Sequence, residues 1–420
     1  MKVLMFGWEF PPHISGGLGT ACYGLTKALA QKDTEILFVV PKLFGGEDNS
    51  QIKILAANQV INDLSPKESK MISKNISFIQ VNSSILPYIG QQDYYNIIHK
   101  QETIKQEGQK FEFQGGYNEN LLEEVERYAF IAASIAKQND FDIIHAHDWL
   151  CYKAGVVAKQ ISNKPLIVHV HATEFDRSGE NINQDIYKVE KYGMDNADKI
   201  IAVSDFTRKI IINKYQQPLE KVTSIHNGVI ATENNNTHQQ NSLNKKIVSF
   251  IGRITFQKGP DYFIEAAEKV LKKDKSFLFV MAGKGDMLNK MVALVAKKRI
   301  SKNFIFTGFL SQEEVNKLLS QSDMFVMPSV SEPFGIAPLE AMQNSVPTII
   351  SKQSGVSEVL KNTIKIDFWD TDSLANAIYA VGNYPTLSKC LSIQGKKEVV
   401  ETTWEKATNK IVDLYKQLQK

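Results

Sequence analysis

The chain alternates short apolar runs with longer segments in which apolar residues recur every three or four positions. The short runs predict buried strands, and the longer segments predict amphipathic helices. Regular alternation of the two is typical of βαβ units around a parallel sheet. The strand candidates are "KVLMF", "TEILFVV", "DIIHAH", "PLIVHVH", "KIIAVS" and "VTSIH" in the first half, and "IVSFIG", "FLFVMAG", "NFIFTG", "DMFVMPS", "PTIIS" and "IKID" in the second. The pattern therefore predicts an α/β fold with two Rossmann-like domains.

The predicted boundary between the domains is a linker at residues 226–246, where Asn and Gln are frequent and the apolar periodicity stops. The first domain then covers residues 1–225 and the second residues 247–400. Residues 44–122 are too long for a single crossover, so we expect an insertion with its own helices there. Residues 401–420, which include "TWEKATNKIVDLYKQLQ", are predicted to form an amphipathic helix.

Composition narrows the class of protein. Of 420 residues, 43% are hydrophobic and 23% charged, and the formal net charge is only +3 without long blocks of one sign. This predicts well-filled cores and no nucleic-acid partner. The three cysteines lie far apart and favour neither disulfides nor a zinc site, which fits a cytoplasmic protein. We expect no integral membrane segment, because no apolar run approaches the ~20 residues of a span.

Glycines open the first predicted helix, in "GWEFPPHISGGLGT". Gly16 and Gly17 let the backbone approach a ligand closely, and the helix, expected from about Thr20, attracts anions at its start. These glycines are therefore candidate donor-binding residues, and the alternative is an ordinary tight turn.

Histidines end two neighbouring predicted strands, in "HAHDW" and "HVHATEFDR". A metal site is one interpretation, but the pairs lie on different strands without a further ligand at a recognisable spacing, so we predict no metal. Hydrogen bonds from histidine to a sugar or phosphate fit better, and a buried structural role stays open for His145 and His169. His171, Glu174 and Asp176 are candidates on the acceptor side.

Two cations follow the first strand of the second domain, in "IGRITFQKGPDYFIEAA". Arg253 and Lys258 precede a helix that is predicted to begin at Pro260. Fixed cations in this position can hold a diphosphate and stabilise the charge that grows as it leaves, and a solvated basic loop is the alternative. Gly283, after the next strand, offers close backbone approach to a donor.

Two carboxylates flank the start of another predicted helix, in "SVSEPFGIAPLEAM". Pro338 fits the first turn of a helix beginning near Ala337, because its missing N–H needs no partner there. Glu332 then lies in the preceding loop and Glu340 in the first turn. The intervening amides of Gly335, Ile336 and Ala337 can face a diphosphate, and both carboxylates can accept hydrogen bonds from hydroxyls.

Together these segments resemble the retaining glycosyltransferases of the glycosyltransferase-B (GT-B) fold. The resemblance rests on "GRITFQKG", "PSVSEPFGIAPLEAM", "HNGV", "HAHDW" and the N-terminal glycine loop. It runs nearly end to end, apart from residues 44–122 and much of the linker. It implies two Rossmann-like domains facing each other across a cleft, with the C-terminal helix crossing back to the first domain. It further implies that Arg253 and Lys258 contact the donor diphosphate, that Glu332 and His147 meet the donor sugar, and that Glu340 holds the ribose.

The start of the chain, with "IIHAHDWL" and "HATEFDR", looks most like glycogen and starch synthases. The resemblance implies metal-independent transfer of glucose from ADP- or UDP-glucose to an α-glucan, with retention at the anomeric carbon. No cofactor is implied, because the nucleotide sugar is a substrate. Two alternatives stay open: a surface-polysaccharide, lipid-linked or small-sugar acceptor, and a nucleotide-sugar epimerase.

Overall fold

A computed structural model of the chain describes residues 1–13, 17–76, 110, 113, 121–230 and 244–419. It contains two parallel sheets, of seven and six strands. Each sheet has helices packed on it, so the predicted α/β class is confirmed. Within the expected insertion at residues 44–122, the structure describes residues 44–76, 110, 113 and 121–122, and residues 44–76 contain one strand and one α-helix. The linker prediction falls largely on residues 231–243, which lie outside the described ranges.

The first sheet has the strand order β3-β2-β1-β4-β5-β6-β7. Its strands are β1 (Lys2–Phe6), β2 (Glu35–Val40), β3 (Lys53–Ala56), β4 (Ile143–His147), β5 (Leu166–Val170), β6 (Lys199–Ala202) and β7 (Val222–Ser224). All the predicted strands are present, and β3 is an edge strand that the sequence pattern did not indicate. The register aligns His145 of β4 with Ile167 of β5, and His147 with His169. The two histidine pairs are therefore neighbours at the carboxyl edge of the sheet.

The second sheet has the order β10-β9-β8-β11-β12-β13. Its strands are β8 (Lys246–Ile251), β9 (Phe277–Ala282), β10 (Phe304–Gly308), β11 (Met324–Met327), β12 (Thr348–Ser351) and β13 (Ile364–Ile366). The chain order reverses between β8 and β11, and ligands of open α/β sheets bind outside the carboxyl ends of the strands at such a switch point. The loops that carry Lys258 and Glu332 follow these two strands.

The helices of the first sheet are α1 (Gly17–Ala30), α2 (Pro66–Ile76), α3 (Leu121–Gln138), α4 (Trp149–Ser162), α5 (Glu174–Ser178), α6 (Gln184–Asn196) and α7 (Asp205–Tyr215). Those of the second are α8 (Pro260–Lys273), α9 (Leu288–Lys297), α10 (Gln312–Gln321), α11 (Ala337–Gln343), α12 (Thr371–Asn383) and α13 (Pro385–Val399), followed by the terminal α14 (Trp404–Leu418). Helices α8 and α11 begin at Pro260 and Ala337, as predicted. Helix α1 begins at Gly17 and not near Thr20, because the Glu9 carboxylate accepts the Gly19 N–H at 3.1 Å and stabilises an earlier first turn.

The C-terminal helix α14 packs on the first sheet. Trp404, Ile411 and Tyr415 are buried in one apolar cluster with residues of β1 and α1. Gly24 of α1 makes room for Trp404, since a Cβ at Gly24 would lie 2.1 Å from the indole Nε1. The end of the chain is thereby fixed against the domain in which it began.

Candidate active site

The loop after β8 brings Lys258 to the edge of the second sheet. A single helical turn, Phe256–Lys258, ends in the left-handed conformation at Gly259, with φ 61°. A Cβ at Gly259 would lie 2.2 Å from the carbonyl oxygen of Pro328, so only glycine allows the β8 and β11 loops to approach this closely. The two loops form one surface, on which Arg253 is exposed.

Across these loops, the Lys258 ammonium donates a hydrogen bond to Glu332 Oε2. The lysine side chain is 20% exposed and that of Glu332 only 8%. Ser329 Oγ donates to the same carboxylate oxygen at 3.3 Å. The structure therefore brings Lys258 and Glu332 together, 74 positions apart in the chain, as a largely desolvated ion pair.

Backbone bonds hold Glu332 in place. Its N–H donates to Gln353 O at 2.9 Å, and its own carbonyl accepts the Gly355 N–H at 2.8 Å. Gly335 has φ 98°, and a Cβ there would press against Glu332 Cγ at 3.1 Å. A carboxylate fixed in this way loses little conformational entropy when a ligand arrives.

Glu340 lies in the first turn of α11, half-buried, with Gly335, Ile336 and Ala337 immediately before it. Its Oε1 accepts a hydrogen bond from Gln312 Nε2 at 3.2 Å. Burial raises the pKa of the Glu340 carboxyl, and the bond from Gln312 lowers it by less. The position agrees with the predicted first-turn placement, and the ribose contact stays a prediction.

The predicted donor-binding glycines differ in what they contact. Gly16 lies outside the described residues, and Gly17 is exposed, with open space where a side chain would project. The free amides expected at the start of α1 are partly satisfied by Glu9, which weakens the case for an anion there. A Cβ at Gly283 would lie 1.9 Å from Gly252 O, so this glycine is needed for loop packing whether or not a donor binds.

Four buried or half-buried histidines form a cluster at the carboxyl ends of β4 and β5. His145 Nε2 lies 3.2 Å from His169 Nδ1, and His147 Nδ1 lies 3.0 Å from His171 Nε2. Burial lowers the pKa of His145 and of His171 to about 3, and it lowers the pKa of the other two as well. At neutral pH all four rings are therefore uncharged.

Access to this cluster differs between its members. His147 is fully buried, whereas His171 is half-buried at the edge of the sheet. Tyr415 of α14 is hydrogen-bonded to the cluster, with its hydroxyl 2.5 Å from His145 Nδ1. Sequence reasoning missed Tyr415, because no local pattern links residues 270 positions apart. His171 is thus the more accessible ring, and a direct sugar contact by His147 stays a prediction.

Asp148 follows β4 in a backbone conformation that is rare for residues other than glycine, with φ 59° and ψ 171°. Its Oδ1 accepts the N–H groups of His171 at 2.7 Å and Ala172 at 3.3 Å. Burial raises the pKa of Asp148 to about 6, against the opposing effects of Arg177 and of these amides. The strained residue therefore fixes the loop that carries His171.

The predicted acceptor-side carboxylates are both buried and bonded within the protein. Asp176 Oδ2 accepts from the Thr173 N–H and hydroxyl in a capping box, while its Oδ1 accepts the Ser331 hydroxyl at 2.6 Å. Glu174 Oε1 accepts from Ser178 Oγ at 2.7 Å. In this conformation Glu174 and Asp176 stabilise the loop after β5, and an acceptor could reach them only if these bonds opened.

The two sheets meet beside the cleft through a set of polar contacts. Ser331 and Asp176 form one of them, and Glu358 forms a second by accepting the N–H groups of Asp205 at 2.8 Å and Phe206 at 2.6 Å. The Thr207 hydroxyl donates to Pro333 O at 3.3 Å. These contacts place the Glu332 loop directly beside the loop of His171.

Comparison with known proteins gives two family matches that together span most of the chain. The model described as "Starch synthase catalytic domain" matches residues 2–225, more than half of the chain, and "Glycosyl transferases group 1" matches residues 212–398. An uncharacterised glycosyltransferase of Methanocaldococcus jannaschii is 27% identical, over 99% of this chain and 98% of its own. A glycogen synthase of Mycobacterium tuberculosis is 24% identical, over 86% of this chain and 80% of its own.

Among solved structures, sucrose-phosphate synthase from Thermosynechococcus elongatus has a TM-score of 0.72 at 17% identity, covering 99% of this chain and 98% of that one. This likeness supports the fold. Within the described part of the chain, none of the helices has both the length and the apolar character needed to cross a membrane.

Proposed function

Because the chain belongs to the glycosyltransferases of the GT-B fold, we propose that it is a retaining enzyme that moves a glucosyl unit from ADP- or UDP-glucose to an α-glucan. The observation that carries the proposal is the ion pair between Lys258 and Glu332 at the switch point of the second sheet, with Arg253 on the same surface. The starch synthase match over residues 2–225 favours an α-glucan as acceptor.

In the proposed donor complex, the diphosphate lies against Arg253 and Lys258. The transition state of such a transfer is oxocarbenium-like, and negative charge grows on the leaving diphosphate as the glycosidic bond breaks. Two cations that are already in place stabilise that charge without further reorganisation. Lys258 then shares its protons between the diphosphate and Glu332, which the ion pair has kept nearby.

The carboxylates position the two ends of the donor. Glu332 accepts hydrogen bonds from hydroxyls of the glucosyl group, and Glu340 accepts them from the ribose. His171 and the adjacent His147 are neutral and can donate or accept a hydrogen bond at the sugar. With retention, the acceptor hydroxyl attacks from the face that the diphosphate leaves, and a donor phosphate oxygen takes its proton. No metal is required in this scheme.

The proposal is tested by incubating the protein with ADP-glucose or UDP-glucose, each with and without glycogen, and measuring nucleotide release. Release that depends on glycogen, followed by degradation of the product with an α-glucosidase, is the expected result. Release that glycogen does not stimulate would contradict the α-glucan acceptor. Conversion of the donor sugar to an epimer in the absence of acceptor would replace the transferase proposal with epimerisation.

A further inference from the structure

A cysteine and two histidines converge at the base of the cleft. Cys22 lies in α1, His147 ends β4, and His171 follows β5. One possible ligand atom from each residue lies within 4.8 Å of the other two. Cys22 and His147 are fully buried, and half-buried His171 provides the approach from the cleft.

Two other groups of possible metal ligands among the described residues are already occupied. In the group of His145, His147 and His169, both ring nitrogens of His145 are bonded, to Tyr415 and to His169. In the group of Asp205, His226 and Glu358, the Glu358 carboxylate accepts two backbone N–H groups with its two oxygens. A metal at either place would have to displace existing hydrogen bonds of the fold.

The group of Cys22, His147 and His171 is different because it adds a thiol to the unpaired nitrogen of His147. A metal there would displace the hydrogen bond between His147 Nδ1 and His171 Nε2, which joins two of its own ligands. Within the described part of the chain, His147 Nε2 is buried without a hydrogen-bond partner. A buried polar atom without a partner destabilises the fold, and a ligand at this point would supply the missing partner. Both rings are neutral because burial lowers their pKa, and the neutral imidazole is the form that binds metals.

We propose that Cys22, His147 and His171 form a three-ligand site for a thiophilic divalent cation of the Zn²⁺ type. Sulfur and imidazole ligands select such metals, whose bonds are about 2.3 Å to sulfur and about 2.0–2.1 Å to nitrogen. One possible ligand atom from each of the three residues lies within 4.8 Å of the other two, so these bonds can form with at most small movements of the side chains. Three protein ligands leave a fourth position open toward the cleft, on the side of His171.

When the metal binds, a bond forms between Cys22 Sγ and the metal, the S–H bond breaks, and the proton passes to the buffer. Burial raises the pKa of this thiol, so the metal must supply the driving force for its deprotonation. If the proposed function is right, a bound metal also occupies His147 and His171 and should inhibit glucosyl transfer. This consequence rests on the proposed function, whereas the binding itself does not.

The test is titration of the full chain with Co²⁺ under reducing, oxygen-free conditions, followed by optical absorption. Cys390→Ser serves as the background, because Cys390 is exposed and could bind metal by itself. We expect one equivalent of Co²⁺ with a thiolate-to-cobalt charge-transfer band, and its displacement by Zn²⁺. Adding Cys22→Ser should remove the band and weaken Co²⁺ binding at least about tenfold, since loss of even an outer-shell partner of a metal ligand costs about 10–100-fold in affinity.

Cys151→Ser is the matched control, since Cys151 is also buried but is outside the three-residue group. It should leave the band and the affinity unchanged. His171→Asn provides a second, half-buried variant should Cys22→Ser fail to fold, and it should weaken binding to a similar extent while keeping the thiolate band at high Co²⁺. Absence of the band, or a band that survives Cys22→Ser, overturns the proposal.

Inhibition is measured separately, as the Zn²⁺ concentration that halves nucleotide release relative to the metal-free rate of the same variant. Cys22→Ser should raise this concentration at least about tenfold, and Cys151→Ser should not change it. If glucosyl transfer is absent, the cobalt spectrum still decides whether the site exists. If transfer is present but Co²⁺ gives no thiolate band, the metal proposal alone fails.

Discussion

The ion pair between Lys258 and Glu332 can be measured by a double-mutant cycle of Lys258→Met, Glu332→Gln and the combined variant. Measured exposed ion pairs contribute about 0.2–1 kcal/mol, whereas removing one partner of a fully buried pair costs about 3–5 kcal/mol. With side chains 20% and 8% exposed, this pair lies between those cases. We therefore expect Lys258→Met to lower the free energy of unfolding of the second domain by about 2 kcal/mol.

Glu332→Gln should lower the free energy of unfolding by less, about 1 kcal/mol. Its amide oxygen can still accept the Ser329 hydroxyl, and Lys258 retains access to water. The combined variant should be no less stable than Lys258→Met alone, which gives a coupling of about 1 kcal/mol or more. The assay is thermal unfolding, in which 1 kcal/mol shifts the midpoint of a domain of this size by about 2–4 °C.

Lys352→Met is the control on the same domain. Lys352 and Asp367 form an ion pair with side chains 54% and 31% exposed, so the midpoint should fall by about 4 °C at most. Midpoint changes for Lys258→Met and Glu332→Gln that simply add in the combined variant would refute the coupling. In turnover, Lys258→Met should lose about 10²-fold or more if the ammonium stabilises the leaving diphosphate, and an unchanged rate would refute that role.

Three further outcomes are expected. Glu340→Gln should raise the KM for the donor with little change in kcat. Because burial raises the pKa of the Glu340 carboxyl, the wild-type KM should begin to rise, as the pH is lowered, at a pH above the ordinary carboxyl pKa of 4.5, and the variant should lack this rise. Tyr415→Phe leaves His145 Nδ1 unpaired, so it should lower the free energy of unfolding by about 1–3 kcal/mol and also lower kcat. The control Tyr384→Phe, at a residue 60% exposed, should change neither the midpoint of thermal unfolding nor kcat. Trp404→Ala should destabilise the fold by about 3–5 kcal/mol, because Trp404 is buried. Trp369→Ala, at a residue 59% exposed, should have little effect, and thermal unfolding measures both.

Local chemistry explains what could be predicted from the sequence. The apolar runs mark the buried strands of both sheets, because a parallel sheet covered on both faces needs nearly continuous apolar sequence. Pro260 and Pro338 mark helix starts correctly, since proline lacks only an N–H that is unpaired there. The edge strand β3 was missed because its four residues, "KILA", lie in a region without regular alternation.

The parts of the site that were missed depend on contacts distant in sequence. Glu9 moves the start of α1 through one hydrogen bond, Tyr415 reaches His145 from the end of the chain, and Cys22 meets His147 only through the sheet topology. The strained backbone of Asp148 follows from the packing around it and not from its residue type. The pairing of Lys258 with Glu332 likewise requires β8 and β11 to be adjacent.

Calorimetric titration with ADP and UDP tests whether Arg253 and Lys258 hold the diphosphate of a nucleotide donor, without knowledge of the acceptor. We expect one-to-one binding of at least one nucleotide, weakened about 10²-fold or more when Arg253→Met and Lys258→Met are combined, since each charged hydrogen bond contributes about 1.5–3 kcal/mol. Nucleotide binding that is unchanged in the combined variant, in a protein that is still folded, would refute this role of Arg253 and Lys258.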